Sequence, residues 1–243
     1  MVETGGPPSG AEDLQGTFAR IEAAVDAGDA DLARLGFWRA LREVKVDPVL
    51  SEHWADVAGR IDRKAFEVRV RPRFPVWLGN LVLVLGTLVG GFAVVVSINA
   101  ADPVVAGIAL LAAAAIWSIS VHCPAHWVVG RLVGIRFIAY TFGGPSPPRP
   151  GLKTDYATYL RAAPGARAWM HASGALATKA APFVALGFWW ASDAPAWAAW
   201  ACGALGVLQI VTDILFSRKT SDWKKVARER RIARARAAAS ASR

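Results

Sequence analysis

Four long apolar stretches, separated by short polar segments, fill most of the second half of the chain. They lie at residues 76–98, 103–129, 169–190 and 196–216, and each is long enough to cross a bilayer as a helix. The turns at residues 99–102 and 192–195 are short and carry no lysine or arginine. The pattern therefore predicts a membrane domain of four transmembrane helices over residues 75–217.

Residues 11–74 show a different pattern, in which apolar residues repeat on one side of each predicted helix. Three such stripes are Phe18, Ile21 and Val25; Leu32, Leu35, Trp38 and Leu41; and Trp54, Val57 and Ile61. Residues 1–10 are rich in glycine and proline and predict a disordered tail. The fold class we expect is all-α: a polytopic membrane protein with four transmembrane helices and a small N-terminal cytoplasmic helical domain.

Basic residues lie in every segment that this topology places on one side of the membrane. The formal net charge is +9, and lysines and arginines precede the first span, fill residues 131–167 and crowd residues 218–243. Positive segments stay in the cytoplasm, so both termini are expected there, in an integral protein of the cell membrane. The N-terminus has neither a basic start nor an early apolar run, so it predicts no cleaved signal peptide.

The basic tail, residues 218–243, admits two interpretations. A helix-prone, arginine-rich segment beside a span is suited to binding anionic lipid headgroups. It can equally be a partly disordered segment whose charge only fixes the topology. Nucleic acid is not an expected partner, because no recognition motif accompanies the charge.

Five ionisable residues fall inside the predicted spans, where charge is costly and usually functional. They are His122, His126, His171, Lys179 and Asp213. The expected topology places four of them, all except Lys179, at a similar depth near the cytoplasmic face. Lys179 lies about 12 Å deeper than His171 at the helical rise per residue.

The stretch "HCPAH" places His122 and His126 four residues apart, on one face of a helix. Together with Asp213 and His171 they predict a metal site, with zinc as the expected ion, because three protein donors and an open position make a catalytic zinc centre. Pro124 is expected to bend the helix there. In the alternative, the histidines hydrogen-bond only to water, headgroups or backbone carbonyls.

These residues resemble the site-2 protease family of membrane zinc metallopeptidases. "HCPAHWVVGRLVGIRF" is similar to the family's H-E-x-x-H segment, "ARAWMHASGALATKAAPF" to its later small-residue segment, and Asp213 in "QIVTDILF" to its aspartate ligand. The resemblance covers residues 103–217 and implies a zinc site of His122, His126 and Asp213. Cys123 stands where the family has its catalytic glutamate, so standard peptidase activity is not expected.

Three functions follow as hypotheses. The first is a zinc-binding, site-2-protease-like membrane protein without standard peptidase activity, which captures or regulates another membrane protein. The second is an active metallopeptidase with a different base, such as Glu67 or Asp155, and a membrane-protein substrate. The third is a non-catalytic transporter or scaffold in which Lys179 and Asp213 form a charge pair.

Overall fold

The computed structural model describes residues 11–143, 149–215 and 221–241. The predicted disordered tail at residues 1–10 lies outside this part of the chain, as do the end of the fourth predicted span at residue 216 and the start of the basic tail at residues 218–220. Within the described residues the fold is mainly helical, with one small three-stranded sheet.

Four helices make up the N-terminal region: α1 (Ala11–Asp26), α2 (Phe37–Val46), α3 (Pro48–His53) and α4 (Ala55–Arg69). The predicted apolar stripes supply much of its core, with Phe18, Ile21 and Ile61 almost completely buried. The second stripe is only partly helical, because residues 32–36 form turns and α2 begins at Phe37.

In the part of the chain that the structure describes, three helices are long and apolar enough to cross a membrane: α5 (Val76–Asn99), α6 (Pro103–Ser120) and, later in the chain, a helix at Ala196–Leu215. Large apolar side chains on α5 point outward, including Trp77, Leu88 and Phe92, which are 63–67% exposed. An exposed apolar surface of this extent is unusual for a soluble monomer and is expected where lipid covers it.

The second predicted span is broken near its end. Helix α6 stops at Ser120, and a separate helix, α7 (His122–Leu132), begins two residues later. Proline has no amide hydrogen, so Pro124 cannot donate to the carbonyl of Ser120, and its ring disfavours a continuous helix there. The break places both histidines of the H-x-x-x-H pair in the first two turns of α7.

The polar segment between α7 and the next long helix contains structure that the sequence left undetermined. Its strands β2 (Phe137–Gly143) and β3 (Arg149–Thr154) pair with each other, and β1 (Arg73–Phe74), which lies just before α5, pairs with β2. The antiparallel sheet has the order β1-β2-β3. Helix α8 (Tyr156–Arg161) follows and buries Leu160 in the core of the N-terminal region. The sheet and α8 therefore join the N-terminal helices to the membrane-type helices.

Helix α9 (Pro164–Gly187) corresponds to the third predicted span and begins five residues earlier than expected. It packs against α6, α7 and α10 (Ala196–Leu215), and a short 3-10 turn, Phe188–Ala191, leads from α9 towards α10. Small buried residues permit this close packing, among them Ala106, Ala185 and Ala198.

The basic tail forms a docked helix, α11 (Asp222–Ala241). Later residues of α11 contact earlier residues of α9: Val226 packs on Ala168 and Ala172, and Glu229 pairs with Arg167. Farther along, Arg236 donates to the carbonyl of Lys45 and to the hydroxyl of Ser51. α11 thus runs antiparallel to the start of α9, away from the ends of the apolar helices and towards the N-terminal region.

Glu229 holds α11 in place through a fully buried ionic cluster. Its carboxylate accepts from Lys45 Nζ at 3.0 Å, from Arg167 Nε at 2.7 Å and from the Tyr159 hydroxyl at 3.0 Å. Burial alone would raise the pKa of Glu229, but the charges of Lys45 and Arg167 outweigh it and lower the pKa to about 2. One carboxylate therefore joins α2, α8, α9 and α11.

Replacing this carboxylate should destabilise the whole chain. In Glu229→Gln, two buried cations lose their counter-charge, and breaking a buried ion pair in this way costs about 3–5 kcal/mol. We expect the melting temperature of the detergent-solubilised protein to fall by roughly 10 °C. The control is Glu52→Gln, since Glu52 is largely exposed beside Arg161 and such pairs contribute only about 0–1 kcal/mol. Equal melting temperatures for wild type and Glu229→Gln would contradict the anchoring role.

The same cluster predicts a dependence on pH. The pKa of Glu229 is about 2 in the folded chain against an ordinary value of 4.5, so its stabilisation is present above pH 4.5 and is lost as the pH falls towards 2. The difference in melting temperature between wild type and Glu229→Gln should shrink across that window. A difference that stays constant with pH would show that Glu229 does not act as a charged anchor.

Candidate metal centre

Two histidines from α7 and one carboxylate from α11 converge at the junction of three helices. One ligand atom each from His122, His126 and Asp222 lie within 4.8 Å of one another. The two histidines share a face because they are one helical turn apart, and their rings meet edge to face with centroids 4.7 Å apart. Asp222 is the first residue of α11, which the Glu229 anchor holds against α9.

The orientation of His126 is fixed by a hydrogen bond to the backbone. Its Nδ1 lies 2.6 Å from the carbonyl oxygen of Met170, which can only accept, so Nδ1 carries the hydrogen. In a neutral imidazole the other nitrogen then presents a lone pair, and Nε2 lies 3.3 Å from Asp222 Oδ2. Gly174 makes room for the ring, because a Cβ there would lie 2.3 Å from Nε2.

His122 presents its ring to the same carboxylate oxygen. Its Nε2 lies 3.4 Å from Asp222 Oδ2, while its Nδ1 lies 2.9 Å from the hydroxyl of Thr178 on α9. Metal-binding histidines characteristically use their second nitrogen in this way, since the outer hydrogen bond fixes the ring and its tautomer.

His171 lies at the border of the group. Its Nδ1 is 4.0 Å from Asp222 Oδ1, and its Nε2 is 3.0 Å from the hydroxyl of Tyr159. Because that hydroxyl donates to Glu229, the histidine is connected through Tyr159 to the buried ionic cluster. The structure thus brings together the three histidines that the sequence predicted at similar depth.

Asp222 is held as a carboxylate by its neighbours. Burial would raise its pKa, but a hydrogen bond from the His126 ring, when that ring carries a proton on Nε2, and the charge of Lys225 outweigh burial and lower the pKa. Lys225 Nζ lies 3.0 Å from Oδ1, so Oδ2 is the oxygen that faces His122 and His126. The start of a helix also favours a negative charge.

This donor set fits a divalent metal ion. At least one imidazole lone pair and a carboxylate oxygen face each other, and two acceptors at such a distance need a cation, either a proton or a metal, between or beside them. Two imidazole nitrogens with a carboxylate oxygen are common zinc ligands. The chemistry that zinc supplies when bound is Lewis acidity towards an oxygen atom.

The carboxylate of the group is Asp222, whereas the sequence pointed to Asp213. In the structure Asp213 Oδ2 lies 2.5 Å from Lys179 Nζ, so these two residues form the charge pair considered in the third hypothesis. The signal for Asp222 was present in the sequence, because residues 217–243 contain only two acidic residues, Asp222 and Glu229. In the structure Glu229 makes buried contacts and Asp222 a half-buried one.

The residues considered as replacements for the missing glutamate have other partners or positions. Cys123 is buried, and its thiol donates to the carbonyl of Pro150 in β3 at 3.6 Å. Asp155 accepts from the amide of Ala157 at the start of α8 and pairs with Arg63. Glu67 is an exposed residue on α4. In the described residues, the carboxylate that contacts His122, His126 and His171 is that of Asp222.

Comparisons of this chain with protein-family profiles, curated proteins and solved structures found no match. The interpretation of the site therefore depends on its own geometry.

Proposed function

We propose that this protein is an integral membrane protein that binds one divalent metal ion, zinc before others, through His122, His126 and Asp222. The observation that carries the proposal is the convergence of three donor atoms within 4.8 Å, with the outer nitrogen of each histidine hydrogen-bonded. Inner nitrogens directed at one carboxylate oxygen, with each outer nitrogen hydrogen-bonded, are the arrangement that metal-binding histidines adopt.

The membrane arrangement that we propose has α9 as a fourth span beside α5, α6 and α10. Its 24 residues make a helix of about 36 Å, and it packs against both α6 and α10. The basic segments then lie on the cytoplasmic side with both termini. The metal site lies where α6 and α10 end, at that face of the membrane.

The resemblance to site-2 proteases gives the proposal its finer form. We infer a divergent, protease-like core that keeps a metal and lacks the general base, and that captures or regulates a membrane protein instead of cleaving it. Cys123 occupies the glutamate position, and a thiol that donates to a carbonyl is not placed to move a proton for water. An active metallopeptidase would need a base that reaches the site from elsewhere.

A second candidate function is supported by one observation, the ion pair between Lys179 and Asp213. Within a proposed span, such a pair is typical of an ion or proton pathway. Proteoliposomes would test it: flux that persists without zinc and disappears in Lys179→Ala would favour transport over metal binding.

Metal analysis distinguishes the two aspartates. We expect purified wild-type protein to hold about one zinc ion per chain, and His122→Ala, His126→Ala and Asp222→Asn each to lose most of it, because three donors are needed for tight binding. Asp213→Asn should retain the zinc. Zinc lost in Asp213→Asn but kept in Asp222→Asn, or wild-type protein without zinc, would contradict the proposal.

The close approach of α9 to His126 provides a test that leaves every donor in place. In Gly174→Ala the new methyl group would overlap the His126 ring and displace it, so zinc affinity should fall by roughly 10-fold or more, as for changes in the groups that orient a ligand. Gly165→Ala, on the same helix with open space around it, is the matched control. Equal affinities, measured by competition with a chelating dye, would argue against a metal at His126.

A further inference from the structure

The donors of the proposed site belong to separate helices. His122 and His126 lie on α7, whereas Asp222 is the first residue of α11. Six residues, 216–221, separate α11 from the end of α10, and the structure does not describe the first five of them. A metal ion bound by all three side chains would therefore join the C-terminal helix directly to the helix that follows α6.

The start of α11 and the rest of the helix are held by different contacts. Near its middle, Glu229 lies in the buried ionic cluster, and farther on Arg236 binds the N-terminal region. The docking of its first two turns depends on the contacts of Asp222 and on the packing of Val226 against Ala168 and Ala172. The contact between Asp222 Oδ2 and His126 Nε2 is satisfied only when a proton or a metal ion lies there, since Nδ1 of that ring already donates to Met170 and two lone pairs otherwise face each other.

We propose that the metal acts as a clamp on the C-terminal helix, so that binding of the ion and docking of the first turns of α11 are one coupled event. The inference rests on the proposed metal site. Coupling of this kind is reciprocal: zinc stabilises the docked helix by the same factor by which docking strengthens zinc binding. A regulatory signal is then available to the cell, because the metal sets how firmly the basic helix is held.

Because the donors lie on two helices, the effect of zinc on the opening of α11 can be calculated. Opening of the first turns of α11 must release Asp222 and hence the ion. With free zinc about 100-fold above its dissociation constant, that opening becomes about 100-fold rarer. Segments that open without breaking the site, such as α1 in the N-terminal core, should not respond.

The test is amide hydrogen exchange of the full chain in nanodiscs at pH 7.5, with zinc or with a chelator. We expect zinc to slow exchange in residues 222–228 by about 100-fold, to leave α1 unchanged, and to have no effect on residues 222–228 in Asp222→Asn. Asp213→Asn should respond as the wild type does. The comparison of zinc with chelator uses unaltered protein, so it does not depend on how well a variant folds.

The outcomes separate the two proposals. If zinc binds the wild type and is lost in His122→Ala, but exchange in residues 222–228 is the same with and without zinc, the clamp is wrong and the metal site remains. If the wild type binds no zinc, both are wrong. If a proton on His126 is the only cation at the site, chelator and zinc give identical exchange and no zinc is retained, which overturns both.

Discussion

The buried carboxylate of Glu229 is the contact on which the arrangement of the chain depends. It is the counter-charge that Lys45 and Arg167 share, and removing it would leave both cations buried without one. By pairing with both it fixes α11 along α9 and brings the start of α11 to the histidines. The metal site is therefore a consequence of an ionic cluster that contains none of its donors, connected to it through Tyr159 and His171.

The membrane helices and much of the site could be predicted because they depend on local patterns. Apolar length predicted four spans, and three of the described helices, α5, α6 and α10, are long and apolar enough to cross a membrane. Helical spacing placed His122 and His126 on one face. The basic flanking segments set the predicted topology, which placed His171 at a depth in the membrane similar to that of His122 and His126. These inferences need only the rise of a helix and the cost of charge in lipid.

Other features required information that a single sequence does not display. Asp213 was chosen because it lies in an apolar helix, but its partner, Lys179, could be recognised only from the packing of α9 on α10. Asp222 was overlooked because the net charge of the tail suggested headgroups as its partner, while the direction of α11 depends on Glu229. The sheet formed by β1, β2 and β3 arises from pairing between distant segments, which periodicity does not reveal.

The most direct test of the central claim is a zinc-edge anomalous difference map from crystals of the full chain grown with zinc. Our account predicts one strong peak between the imidazoles of His122 and His126 and the carboxylate of Asp222, with α11 docked along α9. A peak beside Asp213, or zinc at the histidines with α11 detached from them, would contradict the account.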